Sequence, residues 1–312
     1  MRGLARFRPA ILCVATLAAA AAEAQYPVQS PEFPVNAVTT SDQRDPGVAV
    51  MGQTGKMIVV WASGSPSKVT GRIFDETGAP LSSDFVINNY TGDQYGARVA
   101  ADLSGNFVVV WSDPGRNDGN VFFERRNENN VTLNSATAVE TYMTAAQQYP
   151  AVAVAAGGEF VIVWQSYSGI DPSDSGVFGQ RFNASGQKVG GEFQINEYTT
   201  GYQRNPRVAI LTSGEFIVTW SSEQDEQSGA VMARAYAGDG TPIGGEFQVN
   251  TTELGAQYRP DVALDPSAQA IVVWQSFLQD GDGPGIYGQR IDFGGTKIGP
   301  AGAIANVRGP AR

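Results

Sequence analysis

The sequence predicts an all-β protein, folded as a single β-propeller of five four-stranded blades. Three observations lead to this prediction. The five tryptophans of the 312-residue chain recur at intervals of 50, 53, 56 and 54 residues. Each tryptophan ends a short apolar run, and no segment shows the sustained periodicity of a helix. Repeats of about 50 residues that hold four short strands each are typical of propeller blades.

A fixed set of side chains recurs around each tryptophan. A Val-Ala pair precedes the apolar run, and a glutamine stands five residues before that valine. The tryptophan column consists of Trp61, Trp111, Trp164, Trp220 and Trp274. The glutamine column consists of Gln43, Gln94, Gln147, Gln203 and Gln257. A proline lies two residues before the valine in every repeat except the second, where Ala97 replaces it. This register indicates one structural unit repeated five times.

Each repeat divides into four short strands, A to D. In the third repeat they cover residues 152–154, 160–164, 177–182 and 192–196, and Gly, Asn and Ser lie between them. Strand A carries small residues, as crowding around a central axis favours. Strand B is apolar throughout, so we expect its tryptophan to pack between blades. A β-solenoid or a string of small β-domains is the alternative architecture.

The N-terminal part of the mature chain carries a sixth copy of strand D, at residues 32–36. The last copy, at residues 302–306, has lost its aromatic residue and its Glu. We therefore predict that the N-terminal strand joins or replaces the outer strand of the last blade. This would help to close the ring and remove an open sheet edge.

Residues 1–24 have the pattern of a secretory signal peptide. Three arginines precede an apolar stretch at 10–22 that is too short to span a bilayer, and Ala22-Glu23-Ala24 fits the cleavage rule. The predicted division is a signal peptide at 1–24, a short linker at 25–31 and the propeller at 32–312. We expect a secreted, periplasmic or cell-surface protein without stable membrane insertion after cleavage.

The composition excludes several kinds of chemistry. The chain has no histidine, and its single cysteine, Cys13, lies in the signal peptide. A Ser-His-Asp triad, a thiol nucleophile and a Cys or His zinc site are therefore excluded. The formal net charge of −10 argues against a nucleic-acid partner, which would require clustered Lys and Arg. Any reaction must use carboxylates, Tyr, Lys, Arg, Ser or an oxygen-bound metal.

Three short motifs carry a resemblance to known proteins. They are Phe-Val-Ile-Val-Trp-Gln-Ser at 160–166, Gly-Gln-Arg-Phe at 179–182 and Glu-Phe-Gln-Ile-Asn at 192–196. They resemble a repeat of exported bacterial proteins, found in stand-alone chains and in large adhesin-like, calcium-binding proteins. The resemblance is strongest in repeats three to five. It implies a propeller in an extracellular or surface setting, and it implies no established reaction.

The two ends of the predicted blades differ in sequence. The A–B and C–D turns are short and Gly-rich, whereas the B–C loops are longer and mostly acidic, and the D–A loops carry tyrosines. Tyrosine beside amides and carboxylates suits sugar binding, through ring stacking and hydrogen bonds. The predicted ligand-binding residues are Tyr90, Tyr142, Tyr198, Tyr202 and Tyr258.

The near-equivalence of the repeats favours a non-enzymatic binding or surface-interaction propeller. A single catalytic centre would usually break that symmetry. The expected partner is a glycan or another cell-surface ligand. The alternative is a glycoside hydrolase that uses carboxylates near the axis. Its candidate acids are Asp102, Asp261 and Asp265, with Arg98 and Arg207 as anion partners.

The loop around Asp280 and Asp282 is a candidate metal site. Its carboxylates alternate with glycines and could turn oxygen atoms toward one calcium ion. The loop lacks the length and the closing Glu of an EF-hand. We therefore expect a solvated turn and no cofactor, with calcium as the alternative.

Overall fold

The computed structural model describes residues 32–115, 120–141, 146–167, 175–224, 229–252, 255–277, 279, 281 and 283–303. Residues Val35–Arg312 form one compact unit. The described residues are strands, turns and loops without α-helix. Among them, no helix is long and apolar enough to cross a membrane.

The strands form five antiparallel sheets of four, in which neighbours follow the order of the chain. Blade 1 comprises β1 (Gln43–Met51), β2 (Lys56–Gly64), β3 (Ser67–Phe74) and β4 (Phe85–Val86). Blade 2 comprises β5 (Tyr95–Ala101), β6 (Phe107–Asp113), β7 (Asn120–Arg126) and β8 (Thr132–Ala138). Blade 3 comprises β9 (Gln147–Val154), β10 (Phe160–Tyr167), β11 (Ser175–Phe182) and β12 (Lys188–Gln194). Blade 4 comprises β13 (Gln203–Ile210), β14 (Phe216–Ser222), β15 (Ala230–Tyr236) and β16 (Pro242–Gln248). Blade 5 comprises β17 (Gln257–Leu264), β18 (Gln269–Phe277), β19 (Pro284–Asp292) and β20 (Lys297–Ala303).

The first strand of each blade is its innermost strand. From β1 through β5, β9 and β13 to β17, each of these strands packs against the next. They therefore stand around a central channel, and the other three strands of each blade extend outward. This arrangement confirms the predicted five-bladed propeller.

The hydrophobic core lies between consecutive blades, in four clusters. Between blades 3 and 4, for example, Val163, Val177 and Ile195 of one blade face Phe216 and Trp220 of the next. All five tryptophans are buried. Trp111, Trp164, Trp220 and Trp274 lie in the clusters between blades, which confirms for these four the prediction that they pack between blades. Trp61 instead lines a small cavity together with Val35 and Asn36 of the N-terminal segment.

The N-terminal segment differs from the prediction in its secondary structure. Residues 32–42 form no strand, and β20 is the outer strand of the last blade, with Ala303 opposite Tyr287. Because β20 already occupies the free edge of β19, the N-terminal segment has no edge to pair with there.

From Val35 onward the N-terminal segment contacts blade 1. Arg72 Nη1 donates a hydrogen bond to the carbonyl oxygen of Val35, at 2.9 Å. Asp84 Oδ2 accepts hydrogen bonds from the backbone N–H groups of Ala37 and Val38, at 2.8 and 3.0 Å. A carboxylate and a guanidinium of blade 1 thus hold this segment through its backbone.

Blade 1 has one face that does not pack against blade 2, and blade 5 has one face that does not pack against blade 4. Apolar residues on these two faces are more exposed than those on the other blade faces. Val48 and Val50 in β1 are 61% and 58% exposed. On blade 5, Ile271 and Ile286 are 42% and 51% exposed. The corresponding valines of blades 2 to 5 pack into the four clusters. The seam between the last and first blades is therefore the part of the ring with the least apolar burial.

Candidate functional site

Every innermost strand contains a residue in left-handed backbone conformation near its start. The five residues, with φ between 53° and 64°, are Asp45, Gly96, Tyr149, Asn205 and Arg259. In each blade the pairing with the second strand is interrupted at this point, as in a β-bulge. Four of the five are not glycine, and such strained residues are concentrated at functional sites. We call these five residues the mouth ring.

Backbone N–H groups of the mouth ring bind side chains of the preceding blade. Gly96 donates to Asp45 Oδ2 at 3.3 Å, and Asn205 donates to Gln165 Oε1 at 3.4 Å. Arg259 donates to Ser221 Oγ at 3.0 Å. The bulges are thus tied together from blade to blade. The mouth ring lies at the end of the channel that carries the B–C and D–A loops, because each innermost strand begins there.

Two adjoining cavities open at the mouth ring, and we call them together the mouth site. The first, of about 440 Å³, is lined by Tyr149, Gln165, Tyr167, Tyr202, Arg204, Asn205 and Arg259. The second, of about 360 Å³, is lined by Tyr202, Arg204, Asn205, Ser221, Ser222, Glu223, Gly229, Gln257, Tyr258 and Arg259. They share Tyr202, Arg204, Asn205 and Arg259. The mouth site therefore combines phenol, guanidinium, amide and carboxylate groups.

A larger cavity, of about 560 Å³, lies at the opposite end, among the turns of blades 3 and 4. Its ionisable groups are Glu159 and Arg181. The guanidinium of Arg181 already donates hydrogen bonds to the carbonyl oxygens of Gly238 and Asp239. The mouth site is the better candidate because it brings together more groups that can exchange protons or bind a polar ligand.

Arg204 holds the centre of the mouth site. Its guanidinium carbon lies 3.6 Å from the ring centroid of Tyr202, as in a cation–π contact. Its Nη2 atom lies 3.3 Å from Glu223 Oε1. Glu223 Oε2 accepts the backbone N–H of Tyr202, also at 3.3 Å. These contacts fix the position of a partly exposed carboxylate at the edge of the channel.

Tyr149 and Tyr167 of blade 3 form the other side of the mouth site, and Tyr95 of blade 2 stands near them without lining either cavity. Burial raises the pKa of Tyr95 to about 12, and the nearby Tyr149 and Tyr167 raise it further in the same direction. Burial also raises the pKa of Tyr167, as does Tyr149, whereas Arg204 lowers it. Phenols with raised pKa values stay protonated near neutral pH, and so they can donate hydrogen bonds to sugar oxygens.

Two of the five predicted ligand-binding tyrosines, Tyr202 and Tyr258, line the mouth site. Tyr90 is exposed on its loop and Tyr198 is half-buried with its N–H bonded to Glu246 Oε1 at 3.2 Å, and neither lines the described cavities. Tyr142 and the predicted metal residues Asp280 and Asp282 lie outside the described residues. Among the described residues, no group of three or more acidic side chains could hold a metal ion.

The acids considered for hydrolysis separate into two positions. Asp102 Oδ1 accepts the N–H of Asn106 at 2.8 Å, and Asp265 Oδ1 accepts that of Ser267 at 2.8 Å. These two residues stabilise A–B turns at the end opposite to the mouth ring. Asp261 lies on the innermost strand, two residues after Arg259. Asp102 and Asp265 directly follow strand A, at the A–B turn, so they cannot reach the mouth site at the other end of the channel.

Sequence reasoning missed Tyr149, Tyr167, Arg204, Asn205 and Arg259. For all of these except Tyr167, which ends β10, the signal was nevertheless present between the glutamine and proline columns. The two positions there read Arg-Asp, Tyr-Gly, Gln-Tyr, Arg-Asn and Tyr-Arg, in a frame that is otherwise constant. Positions that vary inside a constant structural frame are free to serve a ligand, and the bulge turns them toward the channel mouth.

No protein-family model matches the chain, and the comparison with curated proteins found no match. Solved structures share the fold. A family-93 α-L-arabinofuranosidase of Fusarium graminearum, solved with arabinobiose, has a TM-score of 0.54 and 13% identity, over 82% of this chain and 79% of its own. A family-25 polysaccharide lyase, an ulvan lyase solved with a glucuronate-rhamnose sulfate ligand, has a TM-score of 0.53 and 10% identity, over 81% and 68%. A thermostable family-43 glycoside hydrolase has a TM-score of 0.50 and 12% identity, over 89% and 98%.

The comparisons contradict the expectation of a non-enzymatic binding propeller, which was wrong. The three solved structures named above are glycoside hydrolases and a polysaccharide lyase, so they favour the enzymatic alternative. The argument from symmetry failed because equivalent backbones still allow different side chains at the mouth ring. At 10–13% identity the likeness establishes the fold, and the reaction has to be inferred from this chain's own residues.

Proposed function

We propose that this chain is an exported enzyme that cleaves a glycan bound at the mouth site, by hydrolysis. The observation that carries the proposal is the fixed carboxylate of Glu223 beside Tyr202 and Arg204, at the opening of the channel. Sugar rings stack on aromatic side chains, and their hydroxyls pair with carboxylates and guanidiniums. This combination needs neither His nor Cys.

Hydrolysis of a glycosidic bond needs two carboxyl groups on either side of it. We assign Glu223 as the first, because Arg204 holds it in position. We assign Asp45 as the second, because it stands exposed in the mouth ring on blade 1, whereas Glu223 comes from blade 4. One group protonates the leaving oxygen and the other assists the attack of water or attacks the sugar itself. The reaction requires no cofactor.

The test uses the protein without its signal peptide and a panel of neutral and acidic polysaccharides, with release of reducing ends as the readout. Glu223→Gln and Asp45→Asn are each expected to lower the rate by about 100-fold or more. The matched control is Glu197→Gln, because Glu197 also pairs with an arginine, Arg234, but lies outside the mouth site. If Glu223→Gln retains the activity of the control, the assignment is wrong.

Tyr202→Ala should weaken substrate binding at least as much as it lowers the rate, because its ring lines both cavities. Tyr198→Ala serves as its comparison on the same face of the propeller. A larger effect of Tyr198 on binding would move the site outward, to the loops that follow the outer strands.

A second reaction is favoured by a specific observation: the mouth site contains more phenols and guanidiniums than carboxylates. Such a site suits elimination on a uronate sugar. A base removes the proton beside the sugar carboxylate, the bond to the leaving oxygen breaks, and a phenol returns a proton to that oxygen. Elimination consumes no water and leaves a double bond, so the ultraviolet absorbance of the product separates it from hydrolysis. Tyr167→Phe would then abolish the absorbing product.

Export belongs to the same proposal. A glycan-cleaving enzyme acts outside the cytoplasm when its polymer substrate is there, and the pattern of residues 1–24 supports this setting. N-terminal sequencing of the protein recovered from the periplasm or medium should begin at Gln25. Recovery of the uncleaved chain in the cytoplasm would contradict it.

A further inference from the structure

Two arginines occupy equivalent positions on the innermost strands, two residues beyond the mouth ring. The five residues at this level are Gly47, Arg98, Ala151, Arg207 and Asp261. Arg98 belongs to blade 2 and Arg207 to blade 4, so blade 3 separates them along the ring. Its residue at this level, Ala151, is small.

Arg98 and Arg207 face the same space. Burial lowers the pKa of the Arg207 guanidinium, the charge of Arg98 lowers it further, and Asp261 raises it. Side chains of blades that are not neighbours can interact in this way only across the central channel. The geometry agrees with this, because both residues stand at the same level of innermost strands that surround the channel, and each guanidinium is held at a backbone carbonyl of its own innermost strand. Both guanidiniums therefore lie at the channel, beneath the mouth site.

The two guanidiniums are anchored in the same way. Arg98 Nη1 donates to the carbonyl oxygen of Ala97, and Arg207 Nη1 donates to that of Pro206, each at 2.8 Å. Within the described part of the chain, neither guanidinium makes another hydrogen bond. Each has five N–H groups, so most of its donors remain available in the channel.

The charge at this level is unusual for the protein. The chain carries a net charge of −10, yet the channel holds two arginines against one carboxylate, Asp261. Two like charges in a partly buried space repel each other, and a third charge of opposite sign stabilises them. Asp261 supplies one such charge, and the remaining positive charge has no counterpart at this level.

The opposite end of the channel does not favour an anion, because its wall is mostly apolar and the ionisable residue in that wall is Asp102, a carboxylate. Val50, Ala101, Val154 and Ile210 stand at one level of the innermost strands and line a small cavity of about 150 Å³. A charged group would lose its hydration there without compensation. An anionic ligand is therefore expected to reach Arg98 and Arg207 from the mouth site.

We propose that the channel beneath the mouth site binds an anionic substituent of a sugar, a carboxylate or a sulfate ester, between Arg98 and Arg207. Carboxylate and sulfate present paired oxygen atoms that match the fork of N–H donors on a guanidinium. The proposal rests on the proposed function for its role as a subsite: the substrate of the mouth site is then an acidic glycan.

The experiment is a binding titration of the full mature chain with three probes, glucuronate, a sulfated monosaccharide and glucose. Binding is followed by calorimetry in low salt. The two anionic probes should bind more tightly than glucose, and the tighter of them identifies the substituent. Arg98→Gln and Arg207→Gln should each weaken anion binding by about 10-fold or more, because each removes charge-assisted hydrogen bonds. The control Arg290→Gln, exposed on blade 5, should leave it unchanged.

The melting temperatures of Arg98→Gln and Arg207→Gln show whether the two arginines only support the fold. If they merely support the fold, Arg98→Gln should lower the melting temperature without changing the preference for anions over glucose. Removal of one of two repelling charges is instead expected to leave the melting temperature unchanged or to raise it. Equal binding of glucuronate and glucose by the unaltered chain overturns the proposal.

The same titration with Glu223→Gln separates this proposal from the proposed function. Glu223 is expected to matter for cleavage and not for the anion in the channel. Anion binding that depends on Arg98, in a protein that cleaves no glycan, would leave the channel site in place and refute the enzyme. Cleavage of neutral glycans, with no preference for anionic ones, would support the enzyme and refute the anion site in the channel.

Discussion

The two halves of the ring satisfy their buried tryptophans differently. In blades 3, 4 and 5, the indole N–H donates to the glutamine that starts the innermost strand. The distances are 2.8 Å for Trp164 to Gln147, 3.0 Å for Trp220 to Gln203 and 2.8 Å for Trp274 to Gln257. In blades 1 and 2, the indole N–H groups of Trp61 and Trp111 are buried without a hydrogen-bond partner among the described residues.

The glutamines are present in all five blades, so the difference arises from their neighbours. Gln94 accepts the backbone N–H of Val69 at 3.2 Å, and its amide donates to Asp113 at 3.5 Å, so it is turned away from its tryptophan. Gln43 donates to backbone carbonyl groups of Thr40 and Ser41, as Gln203 does to Thr200, but its Oε1 atom has no hydrogen-bond partner among the described residues and does not reach the indole of Trp61. A constant sequence column thus has two structural roles, and the better satisfied half of the ring should be the more stable one.

The residue that follows the outer strand also differs between blades. Asn196 and Asn250, which follow the outer strands of blades 3 and 4, accept backbone N–H groups of Val177 and Val231, both at 2.8 Å. In blade 2 the equivalent residue is Glu140, which accepts the N–H of Val121 at 3.1 Å. In blade 2 a buried carboxyl therefore accepts the hydrogen bond that a side-chain amide accepts in blades 3 and 4. Its effect on the free energy of unfolding depends on pH.

Truncation of a tryptophan should have the largest effect. Trp164→Ala is expected to lower the free energy of unfolding by about 3–5 kcal/mol, through the lost apolar burial and the cavity it leaves. Trp111→Ala should cost about 1 kcal/mol less, because that indole has no hydrogen bond to lose. Urea unfolding of both variants measures the difference. A larger loss for Trp111 would contradict the proposed contrast between the halves.

Replacement of Glu140 should change how stability depends on pH. Burial raises the pKa of Glu140 from 4.5 to about 7, as does the nearby Glu192, whereas the N–H of Val121 and the charge of Lys188 oppose the shift. Because the folded state holds this proton more tightly than the unfolded state, the stability that Glu140 contributes is lost as the pH rises from about 4.5 to about 7. The loss is at most about 3 kcal/mol.

Glu140→Asn introduces the residue of the other blades and should remove this loss. The variant is expected to be more stable than the unaltered chain at pH 8, with the advantage disappearing toward pH 4.5. Denaturant unfolding across this pH range tests it, with Glu159→Gln, in the exposed turn between β9 and β10, as the control for a carboxyl elsewhere in the chain. An advantage that is the same at both pH values would exclude titration of Glu140 as its cause.

Loss of the glutamine acceptor should have a smaller effect, and it should differ between the halves. Gln203→Leu leaves the buried N–H of Trp220 without a partner, at a cost of about 1–3 kcal/mol. Gln43→Leu should cost less, because Trp61 has no such bond in the described structure. Thermal unfolding of the two variants gives the comparison, and equal losses would show that the glutamine acts through something other than the indole.

Removal of calcium should have the smallest effect. We expect excess chelator to leave the melting temperature unchanged, because the loop around Asp280 and Asp282 is predicted to be a solvated turn. A ligand of the native state would stabilise it by mass action, so a bound calcium would reveal itself as a chelator-sensitive melt. If that occurs, Asp282→Ala should remove the sensitivity, with Asp239→Ala in an outer turn as control.

Much of the fold could be predicted because its signals are local and repeated. The tryptophan intervals, the Val-Ala pairs and the Gly-containing turns each depend on the chain over a few residues, and five copies reinforce one another. Closure of the ring was less accessible, because the competition between β20 and the N-terminal segment for the edge of β19 depends on two segments far apart in the chain.

For the candidate site, the sequence could predict only the end of the propeller at which the mouth site lies. Tyr202 and Tyr258 were predicted as tyrosines of the D–A loops, and they do line the mouth site. Tyr149 and Arg259 were missed because their variable positions show in the sequence, whereas the bulge that turns these positions toward the mouth appears only in the structure. Their grouping arises only when blades 3, 4 and 5 stand side by side.

The sequence by itself determined the repeat, its strands, the buried tryptophans and the exclusion of His and Cys chemistry. These properties follow from residue type and spacing along the chain. The tertiary structure alone decided which residues share the channel, as Arg98 and Arg207 do across an intervening blade. The physical reason is that electrostatic and hydrogen-bond contacts act over a few ångströms in space, whatever the separation along the chain.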